Sequence, residues 1–134
     1  WLKGLSPKEN REIPPLNYER VYRLKKQFPE LKILINGGFD TADKIAEALP
    51  HTDGVMIGRE AYQNPCFLHE LETRFYGGTH ELNREEIEAK MEAYAKREWA
   101  ACGTPRKSVF RHMLGLYNGL PGARRWRRMQ SEAA

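Results

Sequence analysis

Two short stretches of this 134-residue sequence hold residue types suited to binding phosphate. Asn36-Gly37-Gly38 comes directly after the mostly apolar run Leu-Lys-Ile-Leu-Ile at 31–35. Adjacent glycines let a backbone come close to an anion and turn its amides toward it. Taken alone, the triplet reads equally well as a tight turn that needs positive φ. Gly58-Arg59 tips that balance, because it occupies the same place after a second run, Asp-Gly-Val-Met-Ile at 53–57. Arginine presents a rigid fork of five donors that matches phosphate oxygens. Ligands of parallel α/β folds sit at the carboxyl ends of strands. Two neighbouring strand ends of this kind fit the phosphate site that β/α barrels build after strands seven and eight. No Gly-x-Gly-x-x-Gly occurs, so the dinucleotide fingerprint is missing.

The elements that would position these residues are legible from caps and periodicity. Residues 1–16 read as a long polar loop. A helix is predicted from an Asn17 cap to Phe28, with Leu16 and Val21 at staple spacing and Pro29 as its stop. Strands are predicted at 31–35 and 53–57, joined by a helix from an Asp40 cap to about Leu49, with Ala42, Ile45, Ala46 and Leu49 inward. That gap suits a parallel crossover rather than a hairpin. A third helix is predicted from Asn64-Pro65 to Gly77. Beyond residue 80 only helices are expected: one from Asn83 to Gly103, one from Thr104-Pro105 to Gly119, and one from about Pro121. Trp99 and Trp126 are expected in the core of this small bundle rather than as stacking platforms.

Charge divides the chain in the same sense. Residues 1–105 carry 15 Lys/Arg and 17 Asp/Glu, while residues 106–134 carry seven Lys/Arg and one acid. A local basic surface attracts a polyanion without making the whole molecule sticky; the plainer alternative is a solubilising tail. Two cysteines, Cys66 and Cys102, form neither a metal cluster nor a disulfide scaffold, and fit a reducing compartment. Both are expected to be structural, and no metal ligand set is identified. His51, His69 and His80 have no constellation around them, whereas His112 adjoins Arg111. No apolar run approaches the length of a membrane span. The chain opens on Trp1 without an initiator methionine, which predicts a piece of a longer protein.

Three separated segments carry a family resemblance, in the expected order. Leu34-Ile-Asn-Gly-Gly followed by Asp53-Gly-Val-Met-Ile-Gly-Arg-Glu-Ala-Tyr-Gln-Asn-Pro65 resembles the end of the flavin barrel of tRNA-dihydrouridine synthases. Residues 1–16 resemble the loop after barrel strand six in the DusA subfamily. His112-Met-Leu-Gly-Leu-Tyr-Asn-Gly-Leu-Pro-Gly-Ala-Arg-Arg-Trp-Arg127 is similar to the helical domain of that subfamily.

The resemblance implies an α/β fold: the C-terminal part of a TIM (β/α)8 flavin barrel over 1–79, then a small all-helical tRNA-binding domain over 80–134. It implies FMN and NADPH as cofactors, and reduction of the C5–C6 double bond of uridines 20 and 20a in the tRNA D-loop. Asn36, Gly37 and Gly38, with Gly58 and Arg59, would hold the FMN phosphate. Lys3, Lys8 and Arg11 would lie where tRNA enters. Arg106, Lys107, Arg111, Arg124, Arg127 and Arg128 would supply positive charge to the RNA; the last three can share one helix face, with Arg125 displaced. The family's catalytic acid is a cysteine from the first half of the barrel, and neither Cys66 nor Cys102 matches it. No catalytic residue is therefore expected here, and the 134 residues alone are expected to be inactive. A monomeric, cytoplasmic protein is expected at full length. Another phosphate-binding flavin barrel oxidoreductase and a non-catalytic RNA-binding piece remain open as alternatives.

Overall fold

The computed structural model describes residue 4, residues 6–9 and residues 15–132. The chain forms two compact units, Trp1–Met56 and Ile57–Ala134.

The first unit is built on a pair of parallel strands. Helix α1 (Tyr18–Gln27) starts as expected: Asn17 Oδ1 accepts the Arg20 amide at 3.0 Å. Strand β1 (Leu34–Asn36) pairs in parallel with β2 (Gly54–Met56), with Leu34 opposite Gly54 and Asn36 opposite Met56. Helix α2 (Ala42–Ala48) and a 3-10 turn (Leu49–His51) form the crossover. Ala42, Ile45 and Ala48 are buried, and Ile35 is buried in β1. The inward set differs from the expected one, since Ala46 and Leu49 are only partly buried. The cap also differs. Thr41 Oγ1 accepts the Lys44 amide at 3.3 Å, and Asp40 instead pairs with Lys44 Nζ at 2.6 Å.

The first strand begins three residues later than its apolar pattern suggests, for a polar reason. Lys25 Nζ donates to the carbonyls of Pro29 (2.8 Å) and Leu31 (2.7 Å) and to Asp53 Oδ2 (2.8 Å). Three acceptors match the three donors of an ammonium. The same Asp53 carboxylate accepts the Ile33 amide at 2.8 Å, and the Asp53 amide donates to the Ile33 carbonyl at 2.9 Å. The Leu31 carbonyl and the Ile33 amide are thus held by side chains, and one backbone bond, from Asp53 to Ile33, leads into the ladder. This knot joins the end of α1 to the starts of both strands.

The second unit is helical among its described residues. Its helices are α3 (Arg59–Gln63), α4 (Phe67–Tyr76), α5 (Arg84–Cys102), α6 (Arg106–Phe110) and α7 (Ala123–Glu132). Its core gathers Ala95, Val109, Phe110, Met113 and Leu116, with Cys66, Ile87, Met91, Tyr117 and Trp126 packed against them. Asn83 caps α5 by accepting the Glu86 amide at 2.9 Å. Two expectations change here. The helix expected from 64 begins at Phe67, because Asn64 and Pro65 form the turn that follows the unforeseen α3. The helix expected to reach Gly119 stops at Phe110 and gives way to successive turns through residue 122.

Gly115 lies inside those turns. A Cβ there would stand 2.1 Å from the Gln63 carbonyl oxygen, so only glycine lets the two backbones cross. The Leu116 carbonyl accepts from Cys66 Sγ (3.3 Å) and Arg84 Nε (3.0 Å), and Tyr62 Oη lies 2.9 Å from His112 Nδ1. Residues 57–79 therefore group with the helices after them, whereas the sequence places the change of character near residue 80.

The Lys25–Asp53 knot has a pH signature. The Ile33 amide, and after it the Lys25 ammonium, hold the Asp53 carboxyl below its ordinary value of 3.8. A depressed folded-state value means the contribution is full at neutral pH and is lost as pH falls through that value, below about 3.8. Asp53→Asn should lower the melting temperature at pH 7, and its melting curve should approach the unsubstituted one as pH drops through that window. Parallel acid limbs would contradict the role given to this carboxylate.

Candidate functional site

In the first unit, Asn36 ends β1 with its side chain exposed, and the chain then turns through Gly37 (φ +132°) and Gly38 (φ +66°). Both angles lie in the left-handed region that favours glycine. A Cβ on Gly37 would meet Leu16 Cδ2 at 2.8 Å, and one on Gly38 would meet Leu16 Cδ1 at 3.1 Å. The Gly37 carbonyl accepts a hydrogen bond from the Tyr18 hydroxyl, and the Tyr18 ring stacks on buried Phe39 with centroids 5.3 Å apart. The turn is therefore clamped by Leu16 and by the first residue of α1. The two glycines are accounted for by backbone angle and by the approach of Leu16. The Asn36 side chain is exposed beside this turn.

In the second unit, Gly58 precedes α3 with φ −107°. That angle does not call for glycine, so backbone strain does not explain the residue. Arg59 opens α3, is exposed, and has no ion-pair partner among the described residues. Three residues on, Tyr62 and His112 share their hydrogen bond, and Arg111 Nε donates to His112 Nε2 at 3.0 Å. Accepting at Nε2 places the imidazole proton on Nδ1, so His112 donates to Tyr62.

The basic tail is organised around an acid that the sequence pattern did not single out. Glu88, on α5, accepts from Tyr117 Oη (3.2 Å) and from Gln130 Nε2 (3.4 Å), and Trp126 Nε1 lies 3.1 Å from both its oxygens. Burial, then the bond to Glu88, raises the Tyr117 phenol above its ordinary 10.0. Ala123, Trp126 and Gln130 face inward, with Ala123 and Gln130 buried. The exposed residues of α7 include Arg124, Arg125 and Arg128, alongside Met129, Ser131 and Glu132, while Arg127 is partly buried on the flank. The face grouped from spacing, Arg124 with Arg127 and Arg128, is corrected in that respect: Arg125 belongs to it. Arg128 also pairs with Glu132 at 2.7 Å, an exposed contact worth little.

Arg106 is not displayed as a surface cation. Its Nε pairs with Glu92 Oε2 at 2.7 Å, its Nη2 donates to Gln130 Oε1 at 2.8 Å, and its Cζ lies 3.6 Å from the Phe110 ring centroid. The guanidinium is a strut between α5, α6 and α7. Lys107, Arg111 and Lys8 are exposed; Lys3 and Arg11 lie outside the described residues. Cys66 sits against the core with its thiol on the Leu116 carbonyl, and Cys102 donates to the Glu98 carbonyl at 3.1 Å. Glu88 and Gln130 escaped sequence reasoning because each is polar on an otherwise apolar or basic pattern. The tyrosine and tryptophan needing partners, Tyr117 and Trp126, were the available signal.

The described residues thus combine a parallel strand pair, with the exposed Asn36 side chain at the end of β1, and a helical unit that exposes three arginines on α7. The sequence matches the model of the dihydrouridine synthase (Dus) family over residues 2–134, and the chain belongs to that family. It is similar to the tRNA-dihydrouridine(20/20a) synthases of Salmonella typhi, Vibrio cholerae serotype O1 and Escherichia coli strain K12. Each is 50% identical over 135 residues, an alignment that covers all of this chain and 40%, 41% and 39% of those proteins respectively. The chain thus spans about two-fifths of the length of the curated relatives it matches. Among the described residues, no helix is long and apolar enough to cross a membrane.

Glu88→Ala would strand three donors inside the second unit. Leaving buried donors unsatisfied costs ~1–3 kcal/mol each at the sites where water cannot replace the partner. We expect a clear loss of melting temperature and a shift in Trp126 emission toward that of a solvated indole. An unchanged Trp126 spectrum would show that the carboxylate does not hold α7.

Proposed function

We propose that this chain is the C-terminal part of an FMN-dependent tRNA-dihydrouridine synthase that reduces uridines 20 and 20a of the tRNA D-loop with NADPH. The carrying observation is 50% identity along the whole chain to synthases named for those positions. On this reading residues 1–79 close a TIM barrel and residues 80–134 bind tRNA. The sheet supports the barrel. Leu34 is 65% exposed and Met56 49%, on the face that alternates with buried Ile35. Helix α1 buries no residue, and leaves Leu24 and Phe28 in the open. Apolar surface of this kind suits an assembly with more strands and helices.

The donor chemistry fits a phosphate. Asn36 brings an exposed side-chain amide, Gly37 and Gly38 a positive-φ turn, and Gly58 a glycine that its φ does not demand. Arg59 brings an exposed guanidinium without an acid partner among the described residues. These five residues are proposed to hold the flavin phosphate, and Tyr18 and Leu16 to fix the turn that carries three of them. Bound FMN, recharged by NADPH, would supply the hydride for the C5–C6 bond of uridine. The outward arginines of α7, with Lys107, Arg111, Lys8, Lys3 and Arg11, are proposed to hold RNA phosphates away from the reacting base. A base modified inside folded RNA must be turned out of its stack, which requires the rest of the RNA to be gripped elsewhere. Cys66 and Cys102, both bonded to backbone carbonyls of their own unit, take no part in the chemistry.

The direct test is to incubate the complete protein with unmodified tRNA, FMN and NADPH and to map dihydrouridine by mass spectrometry. Product at positions 20 and 20a is expected; product only elsewhere in the tRNA would refute the assignment. Arg59→Ala in the complete protein should weaken flavin retention by roughly ten- to a hundredfold, the equivalent of losing a charge-assisted hydrogen bond of ~1.5–3 kcal/mol. An unchanged flavin dissociation constant would remove Arg59 from the site.

A further inference from the structure

Trp99 stands apart from the core it was expected to join. It is 62% exposed, whereas Trp126 packs against the core and is hydrogen-bonded to Glu88. The reason lies opposite it. Pro105 and Arg106 face the last turns of α5, and Arg106 is committed to Glu92, Gln130 and Phe110, so the indole is left largely exposed.

What remains is a cavity of about 340 Å³, within the size range of small-ligand sites. Glu92, Ala95, Lys96 and Trp99 line it from one stripe of α5, and Pro105 and Arg106 close it from the next segment. Its chemistry is asymmetric. The floor is apolar, with Ala95 buried, and the indole forms an open aromatic wall. Glu92 is neutralised by Arg106 at 2.7 Å. Lys96 is exposed and has no ion-pair partner among the described residues.

An open aromatic wall beside an exposed ammonium without an ion-pair partner among the described residues matches a planar group joined to an anion. An aliphatic side chain of another protein would leave the Lys96 ammonium unanswered. We infer that the Trp99 cavity is a stacking site for one nucleobase of the bound RNA, with Lys96 on the adjoining phosphate. This rests on the RNA-binding reading above and adds to it a base contact distinct from the arginine face of α7. Stacking on an aromatic side chain tolerates any base, so the contact anchors rather than selects.

The test uses the complete protein and an unmodified tRNA transcript. Adding tRNA should quench indole emission, and the part of that quenching due to Trp99 should vanish in Trp99→Phe. Trp99→Ala should weaken tRNA binding roughly five- to 150-fold, the span that ~1–3 kcal/mol per stacked base converts to, without lowering the melting temperature. Trp99→Phe, which keeps an aromatic face, should stay within a few-fold of the unsubstituted protein. Lys96→Ala should reduce the salt dependence of binding by about one charge. Wild-type affinity in Trp99→Ala, or identical quenching in Trp99→Phe, would overturn the inference and leave RNA binding standing. Failure of the unsubstituted protein to bind tRNA at all would overturn both.

Discussion

A single carboxylate sets the direction of the basic helix. Glu88 accepts from a phenol, an indole and a carboxamide that come from two different stretches of chain, the turn at Tyr117 and the helix α7. Each donor would be costly to bury unpaired. Satisfying all of them at one acceptor fixes which side of α7 faces inward. The outward side then carries Arg124, Arg125 and Arg128, with Met129, Ser131 and Glu132 beside them. Gln130 extends the same network to Arg106, and Arg106 extends it to Glu92, so one arginine is withdrawn from the surface to stiffen the frame that displays the others.

The first unit follows a parallel logic with opposite charge. There a lysine is the hub: Lys25 gathers two carbonyls and the Asp53 carboxylate, and Asp53 holds the backbone of Ile33. The starts of both strands are pinned by this knot. Their far ends are shaped by Tyr18 and Leu16, which clamp Gly37 and Gly38. The turn at the proposed phosphate site is thus held by the chain itself, the arrangement a preorganised anion site needs.

Local chemistry was legible in the sequence; choices made by tertiary partners were not. The Asn17 and Asn83 caps and the glycine stops at Gly77 and Gly103 stand where residue type placed them. The parallel pairing of the two strands also follows from their spacing. By contrast, β1 starts late because Lys25 and Asp53 take the backbone groups of residues 31–33. The run 104–119 reads as one amphipathic helix, yet the crossing of Gly115 over Gln63 needs turns there. Trp99 carries the helical spacing of a core residue, but the residue opposite it is an arginine engaged elsewhere. Arg106 is drawn inward and Arg125 stays exposed for the same reason: burial depends on what lies across the interface, which periodicity along one helix does not encode.

The proposed RNA role of α7 requires Glu88 to turn the helix so that Arg124, Arg125 and Arg128 can meet RNA phosphates. The salt dependence of tRNA binding tests it most directly. In the complete protein, replacing these three arginines by alanine should lower the slope of log affinity against log salt by about one per lost phosphate contact, roughly two to three in all. Arg127→Ala should change that slope less. An unchanged slope in the triple variant, with its helical content intact, would contradict the account.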